Sequence, residues 1–201
     1  MRSDFSQPAL TGQRKGIGYT DTMRPRETLE AFDGYLAARG LRFEGIVIGG
    51  AALNLLGIVA RVTRDCDVLH PPLDPAVADA ARTFAREARA RGEALQDDWL
   101  NNGPASLAPQ LPPGWLARVQ PAFVGVAIEL RTLGREDLLR SKLFALCDRA
   151  IDLGDCVALA PTAAELDELM PWLEYQDANP DWPAHVRSTM RDLAGRLGHG
   201  L

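Results

Sequence analysis

Leu29, Phe32 and Leu36 recur at three- to four-residue spacing after Arg26, which places them on one stripe of an α-helix. Gly40 supplies its stop. The pattern then becomes a continuous apolar run from Gly45 to Ile48, the signature of a buried strand. Val68-Leu69 and the alternating stretch from Val124 to Leu130 are two further strand candidates. Asp74-Pro75 offers an N-cap and first-turn proline for a helix through about Arg91. From Asp97 through the proline-rich stretch to Trp115 there is no period, so this reads as a long irregular connection. Arg135 to Arg149 is helical, with Leu138, Leu139, Ala145 and Leu146 on one side and Arg135, Lys142 and Arg149 threading that same side. Thr162-Ala-Ala-Glu165 is a capping box opening another helix, in which Pro171 interrupts the pattern. A last helix runs from Asp181 toward Leu197, capped by Gly198.

These elements predict an α/β (α+β) fold: a small mixed β-sheet with flanking helices and a helical C-terminal part. The expected organisation is a flexible tail over 1–23, a core over 24–160 and a helical segment over 161–201 packed on that core. The tail reading follows from a polar, glycine-containing stretch without periodicity. Met23 is a second candidate for the natural start, to be tested by mass spectrometry of the native N-terminus.

The segment following the first strand run carries the chemistry. The run ends in Gly49-Gly50 and leads into a helix-like stretch, which leaves backbone N–H groups near a helix start where an anion can sit. Arg61-Val-Thr63-Arg-Asp65-Cys-Asp67 follows. In an extended chain Asp65 and Asp67 point one way while Cys66 and Val68 point the other. Paired carboxylates repel, and a divalent cation bound through oxygen relieves them. The expected cation is Mg²⁺ or Mn²⁺, with phosphates completing its shell. The other reading is a solvated Asp-x-Asp turn and a glycine pair that merely ends a strand.

The ordered set Gly49-Gly50, Arg61-x-Thr63-x-Asp65-x-Asp67 resembles the signature of the DNA polymerase β-type nucleotidyltransferase superfamily, most closely its bacterial abortive-infection and toxin-like branch and their uncharacterised relatives. The resemblance implies transfer of a nucleoside monophosphate from a nucleoside triphosphate to a hydroxyl acceptor, RNA or protein, with Asp65 and Asp67 binding the metal. It also implies an antitoxin protein as a partner. Gly49, Gly50, Arg61, Thr63 and Lys142 are the phosphate-binding candidates. Many members carry Ser or Thr after the two glycines, whereas here Ala51 follows, so phosphate contact rests on backbone groups. The later pattern around Ser141-Lys142-Leu143 and Asp152-x-x-Asp155 is similar to motifs of the same branch. It implies Lys142 as triphosphate ligand and Asp155 as a third acid helping to deprotonate the acceptor.

The residues taken alone leave alternatives open. Lys142 inside an apolar stripe must snorkel, pair with an acid or face a ligand. Asp152 and Asp155 fit an N-cap and a first-turn acid equally well. Glu129 competes as the third carboxylate, or is a solvent-facing sheet residue. Arg61 and Thr63 bind phosphate or shape their loop. Trp99, Asn101 and Asn102 meet a base or sugar, or pack in the core and form a turn.

Composition narrows the class. With 201 residues, 46% hydrophobic and 24% charged, the chain can bury an ordinary core. It has no apolar run long enough to span a membrane and no secretion-signal core, so a cytoplasmic enzyme is expected. Three cysteines without C-x-x-C spacing and three scattered histidines argue against structural zinc or disulfides. A net charge of −5 disfavours broad nonspecific nucleic-acid binding. Arg24, Arg26, Arg39, Arg42, Arg61 and Arg64, with Arg187, Arg191 and Arg196, leave local basic faces for an RNA acceptor. The alternative function is a noncatalytic interaction protein that retains the scaffold.

Overall fold

The computed structural model describes residues 22–199. Most of the segment read as a tail therefore lies outside the described residues. Met23 belongs to the folded part: it exchanges backbone hydrogen bonds with Thr63 at 2.6 and 3.0 Å and is buried.

The first helix, α1 (Pro25–Ala37), buries the predicted stripe of Leu29, Phe32 and Leu36, and Gly40 follows it with a left-handed φ of 66°. Next come β1 (Phe43–Ile48), α2 (Gly49–Leu55), β2 (Cys66–His70) and α3 (Pro75–Ala90). The expected Asp74 cap is present, its side chain accepting the Ala76 N–H at 2.7 Å. After β3 (Leu100–Asn101), two 3₁₀ segments, Gly103–Gln110 and Trp115–Arg118, lead to β4 (Gln120–Val124) and β5 (Ile128–Thr132). The chain ends in α4 (Arg135–Arg149), α5 (Leu153–Leu159), α6 (Ala163–Glu174) and α7 (Trp182–Arg196).

The strands form one mixed sheet in the order β3-β2-β1-β5-β4. At its centre β1 runs parallel to β5 and antiparallel to β2. Alternate residues divide between two cores, as a period of two requires. Phe43, Val47, Val68, Ile128 and Leu130 pack under α1 and α3. Ile46, Ile48, Leu69 and Leu133 pack under α4 and the C-terminal helices. The architecture is thus the mixed sheet with flanking helices and helical C-terminal part that the pattern predicts. Among the described residues no helix is long and apolar enough to cross a membrane.

Three local expectations are corrected. Val124 to Leu130 is not one strand but the end of β4, a turn and the start of β5. The cause lies far away in sequence: the Asp33 carboxylate accepts the N–H groups of Val126, Ala127 and Ile128 at 2.9, 2.8 and 2.8 Å. Burial pushes the Asp33 carboxyl up, and these three bonds together hold it below its ordinary value. The irregular connection contains β3 and both 3₁₀ segments, because Trp99 anchors it in the core with its indole N–H donating to the Ala81 carbonyl at 3.2 Å. Pro171 lies inside α6 instead of interrupting it, since Leu169 and Leu173 bury the same side of a continuous helix.

Candidate functional site

The apolar run of β1 delivers its last residue, Ile48, opposite Asp67 of β2. Gly49 then takes a φ of 78°, a left-handed conformation that favours glycine. A β-carbon there would stand 2.8 Å from Asp67 Oδ2, and one at Gly50 would stand 2.8 Å from Thr63 Cγ2 and 3.5 Å from Arg61 Nη2. The diglycine bend and the Arg61-to-Asp67 loop are therefore in direct contact. No side chain caps the start of α2, while Ala51 is wholly buried behind it.

Cys66 and Val68 pack in the core under α1 and α3, as the alternation predicts. Asp67 projects from the other face and is partly buried, as is Asp65 just before the strand. Burial and then the neighbouring Asp65 charge push the Asp67 carboxyl up to about 6, against the pull of Asn101, Lys142 and Arg149. Burial also raises Asp65, with Arg64 opposing and Asp98 adding to the effect. Two oxygen donors with a frustrated negative charge suit a hard divalent cation. The glycine cradle leaves room beside Asp67 that any β-carbon would fill.

Lys142 meets the second of its three options. It is buried in α4 and donates to Asp155 Oδ2 at 2.7 Å and to Asp152 Oδ1 at 3.3 Å. Asp155, only 2% exposed, also accepts from Arg61 Nη2 at 2.6 Å. Burial raises its pKa, but Lys142 and then Arg61 draw it below the ordinary value. Both Asp155 oxygens thus face cations. Asp152 stands at the N-cap of α5 yet makes no capping bond. Among the described residues, no three acidic, histidine or cysteine side chains gather as a metal site.

The remaining candidates separate. Thr63 donates its hydroxyl to the Asp65 carbonyl at 3.1 Å, so it shapes the acid loop. Glu129 is exposed on β5 opposite Glu44, with β1 between it and β2. Asn102 fastens the turn after β2 through Leu73 N–H and the Val68 and Pro71 carbonyls, at 2.7, 2.9 and 3.3 Å. Asn101 pairs in register with Asp67 and accepts the Gly103 N–H at 2.6 Å. A shallow cavity of about 370 Å³ opens beside it, lined by Leu73, Arg82, Asp97, Asp98 and both asparagines. Arg149 lies on the Lys142 side of α4 and has no role in the sequence motif. Its charge reaches Asp67, and the signal was available in its seven-residue spacing from Lys142.

A five-stranded mixed sheet with this flanking and C-terminal helical arrangement is consistent with a nucleotidyltransferase fold. The model of the family described as "Nucleotidyltransferase of unknown function (DUF6036)" matches residues 28–158, and the chain belongs to that family. The matched span includes the diglycine, both acids of the Asp-x-Asp pair, Lys142 and Asp155. No curated protein and no solved structure matches the chain.

Proposed function

We propose that the chain transfers a nucleoside monophosphate from a nucleoside triphosphate to a hydroxyl acceptor in a metal-dependent reaction. The observation that carries this reading is the contact between the glycine cradle and Asp67, whose carboxyl is raised beside a second acid. Asp65 and Asp67 would hold Mg²⁺ or Mn²⁺. When bound, the cation supplies charge neutralisation and alignment for in-line displacement at the α-phosphorus. The Gly49-Gly50 backbone and the Arg61 guanidinium receive phosphate oxygens at the bend. Asp155 keeps Arg61 there, and Lys142 holds Asp155 in place from the core. The acceptor oxygen forms the new ester bond as the bond from the α-phosphorus to the bridging oxygen breaks. Pyrophosphate departs with that electron pair, and the hydroxyl proton passes to solvent.

The resemblance to the toxin-like branch supports an RNA or protein acceptor and an antitoxin partner. Incubation with each labelled triphosphate, Mg²⁺ or Mn²⁺, and total RNA tests the activity. Label on RNA or protein that disappears in Asp65→Ala and Asp67→Ala is expected; equal labelling by both variants would reject the site. A second reading, a noncatalytic interaction protein on the same scaffold, is favoured by one observation: Asp155 is engaged by two cations and does not form a three-acid group with the pair. That reading expects no labelling of any acceptor.

A further inference from the structure

Lys142 and Arg149 lie seven residues apart on α4, two turns along nearly the same side of the helix. Their circumstances differ sharply. The Lys142 side chain is 6% exposed and compensated by Asp152 and Asp155, while Arg61 is compensated by Asp155. These two cations and two carboxylates sum to no net charge. Withdrawing Lys142 toward a ligand would leave a buried carboxylate short of its counterion, a costly exchange. The Arg149 side chain is 59% exposed, and its ion pair among the described residues is a loose one at 3.7 Å with its neighbour Asp148. It sits on the last turn of α4, where Ala150 turns the chain with a φ of 56°.

We propose that Arg149, not Lys142, is the residue of α4 that contacts the outer phosphates of the triphosphate. This assignment rests on the nucleotide reading given above and deepens it. A triphosphate brings about four negative charges to a site already holding two carboxylates. A bound divalent cation offsets only part of that charge. Arg61 can offer its remaining N–H groups to phosphate oxygens at the bend, but the Arg61, Lys142, Asp152 and Asp155 set carries no net charge with which to offset the rest. Arg149 can move to a phosphate by giving up only its solvated contact with Asp148. Its planar fork also matches two phosphate oxygens at once, which an ammonium does not. Lys142 remains a positioning residue that secures Asp155, and through it Arg61 at the bend.

Calorimetric titration of the full chain with ATP, GTP, CTP and UTP, and with the corresponding monophosphates, in Mn²⁺ separates the roles. Arg149→Gln is expected to weaken the preferred triphosphate by at least about tenfold, leave its monophosphate unchanged and keep Tm at the wild-type value. Arg149→Lys should recover part of the loss. Lys142→Met should lower Tm and weaken triphosphate and monophosphate alike. Wild-type triphosphate affinity in Arg149→Gln, or equal losses for both ligands, would overturn the Arg149 assignment while leaving the nucleotide site standing. Failure of the wild-type chain to bind any of the four triphosphates would overturn the nucleotide reading itself and this assignment with it.

Discussion

Asp67→Asn is expected to make the metal-free protein more stable while removing its metal-dependent nucleotide binding. The Asp67 carboxyl titrates near 6 instead of its ordinary 3.8. At neutral pH or above, the cost of keeping it ionised is on the order of 3 kcal/mol if the displacement is realised in full. Partial solvent access and the near-isosteric amide reduce the expected gain to about 1–2 kcal/mol, or roughly 3–6 °C in Tm for a chain of this size. The sign follows from proton counting. Between about pH 4 and pH 6 the folded state holds more protons at this residue than the unfolded state, so its contribution to stability falls as pH rises through that window and stays low above it. The asparagine variant lacks that slope. Thermal denaturation of both proteins in chelator from pH 4 to pH 8 should show a gap in favour of the variant that opens toward pH 6 and then levels. Adding Mn²⁺ and the preferred triphosphate should reverse the order, because only the wild type gains ligand stabilisation. A variant less stable than wild type at pH 8 in chelator, or a gap independent of pH, would refute the reasoning.

Gly49→Ala combines a left-handed φ with a β-carbon 2.8 Å from Asp67 Oδ2, and is expected to cost about 2–3 kcal/mol in urea denaturation and to abolish metal-dependent nucleotide binding. Asp155→Asn leaves a buried lysine without its main partner and should cost about 3–5 kcal/mol at pH 7. Because the Asp155 pKa is lowered in the fold, its stabilisation is present above the ordinary carboxyl range and is lost as pH falls through the lower folded value, so the deficit should shrink in acid. Asp33→Ala strands three N–H groups and should cost about 3 kcal/mol, again with a deficit that narrows in acid, as measured by denaturation at pH 7 and pH 3.

What was legible in the sequence was local. The stripe of α1, the cap of α3, the box at Thr162 and Glu165 and the apolar run of β1 each follow from contacts within a few residues. The meeting of the diglycine with Asp67 was legible too, because alternation along β2 and the order of the motifs constrained it. The hairpin between β4 and β5 was not, since its turn is fixed by Asp33 and the adjacent strands read as one alternating run. The burial of Asp137 and Arg140 in α4 was hidden, whereas the apolar stripe already marked Lys142 as a lysine that must snorkel, pair or face a ligand. A helix wheel exposes one side to water by assumption, whereas α4 lies between the sheet and the C-terminal helices and holds its charges by pairing them, Asp137 with Arg118 at 2.7 Å among them. The separation of Lys142 from Arg149 depended on that same packing.

The bonds from Asp33 to the backbone at Val126 through Ile128 join positions 93 to 95 residues apart, and the central pairing of β1 with β5 spans a similar length. Closing such loops costs chain entropy before any contact rewards it. Completion of the sheet's parallel β1–β5 pair therefore waits on synthesis through Thr132, while α1 and α3 can form from local segments much earlier. Until β5 emerges, the central strand carries an unpaired edge, and that interval is when the nascent chain is most exposed to aggregation.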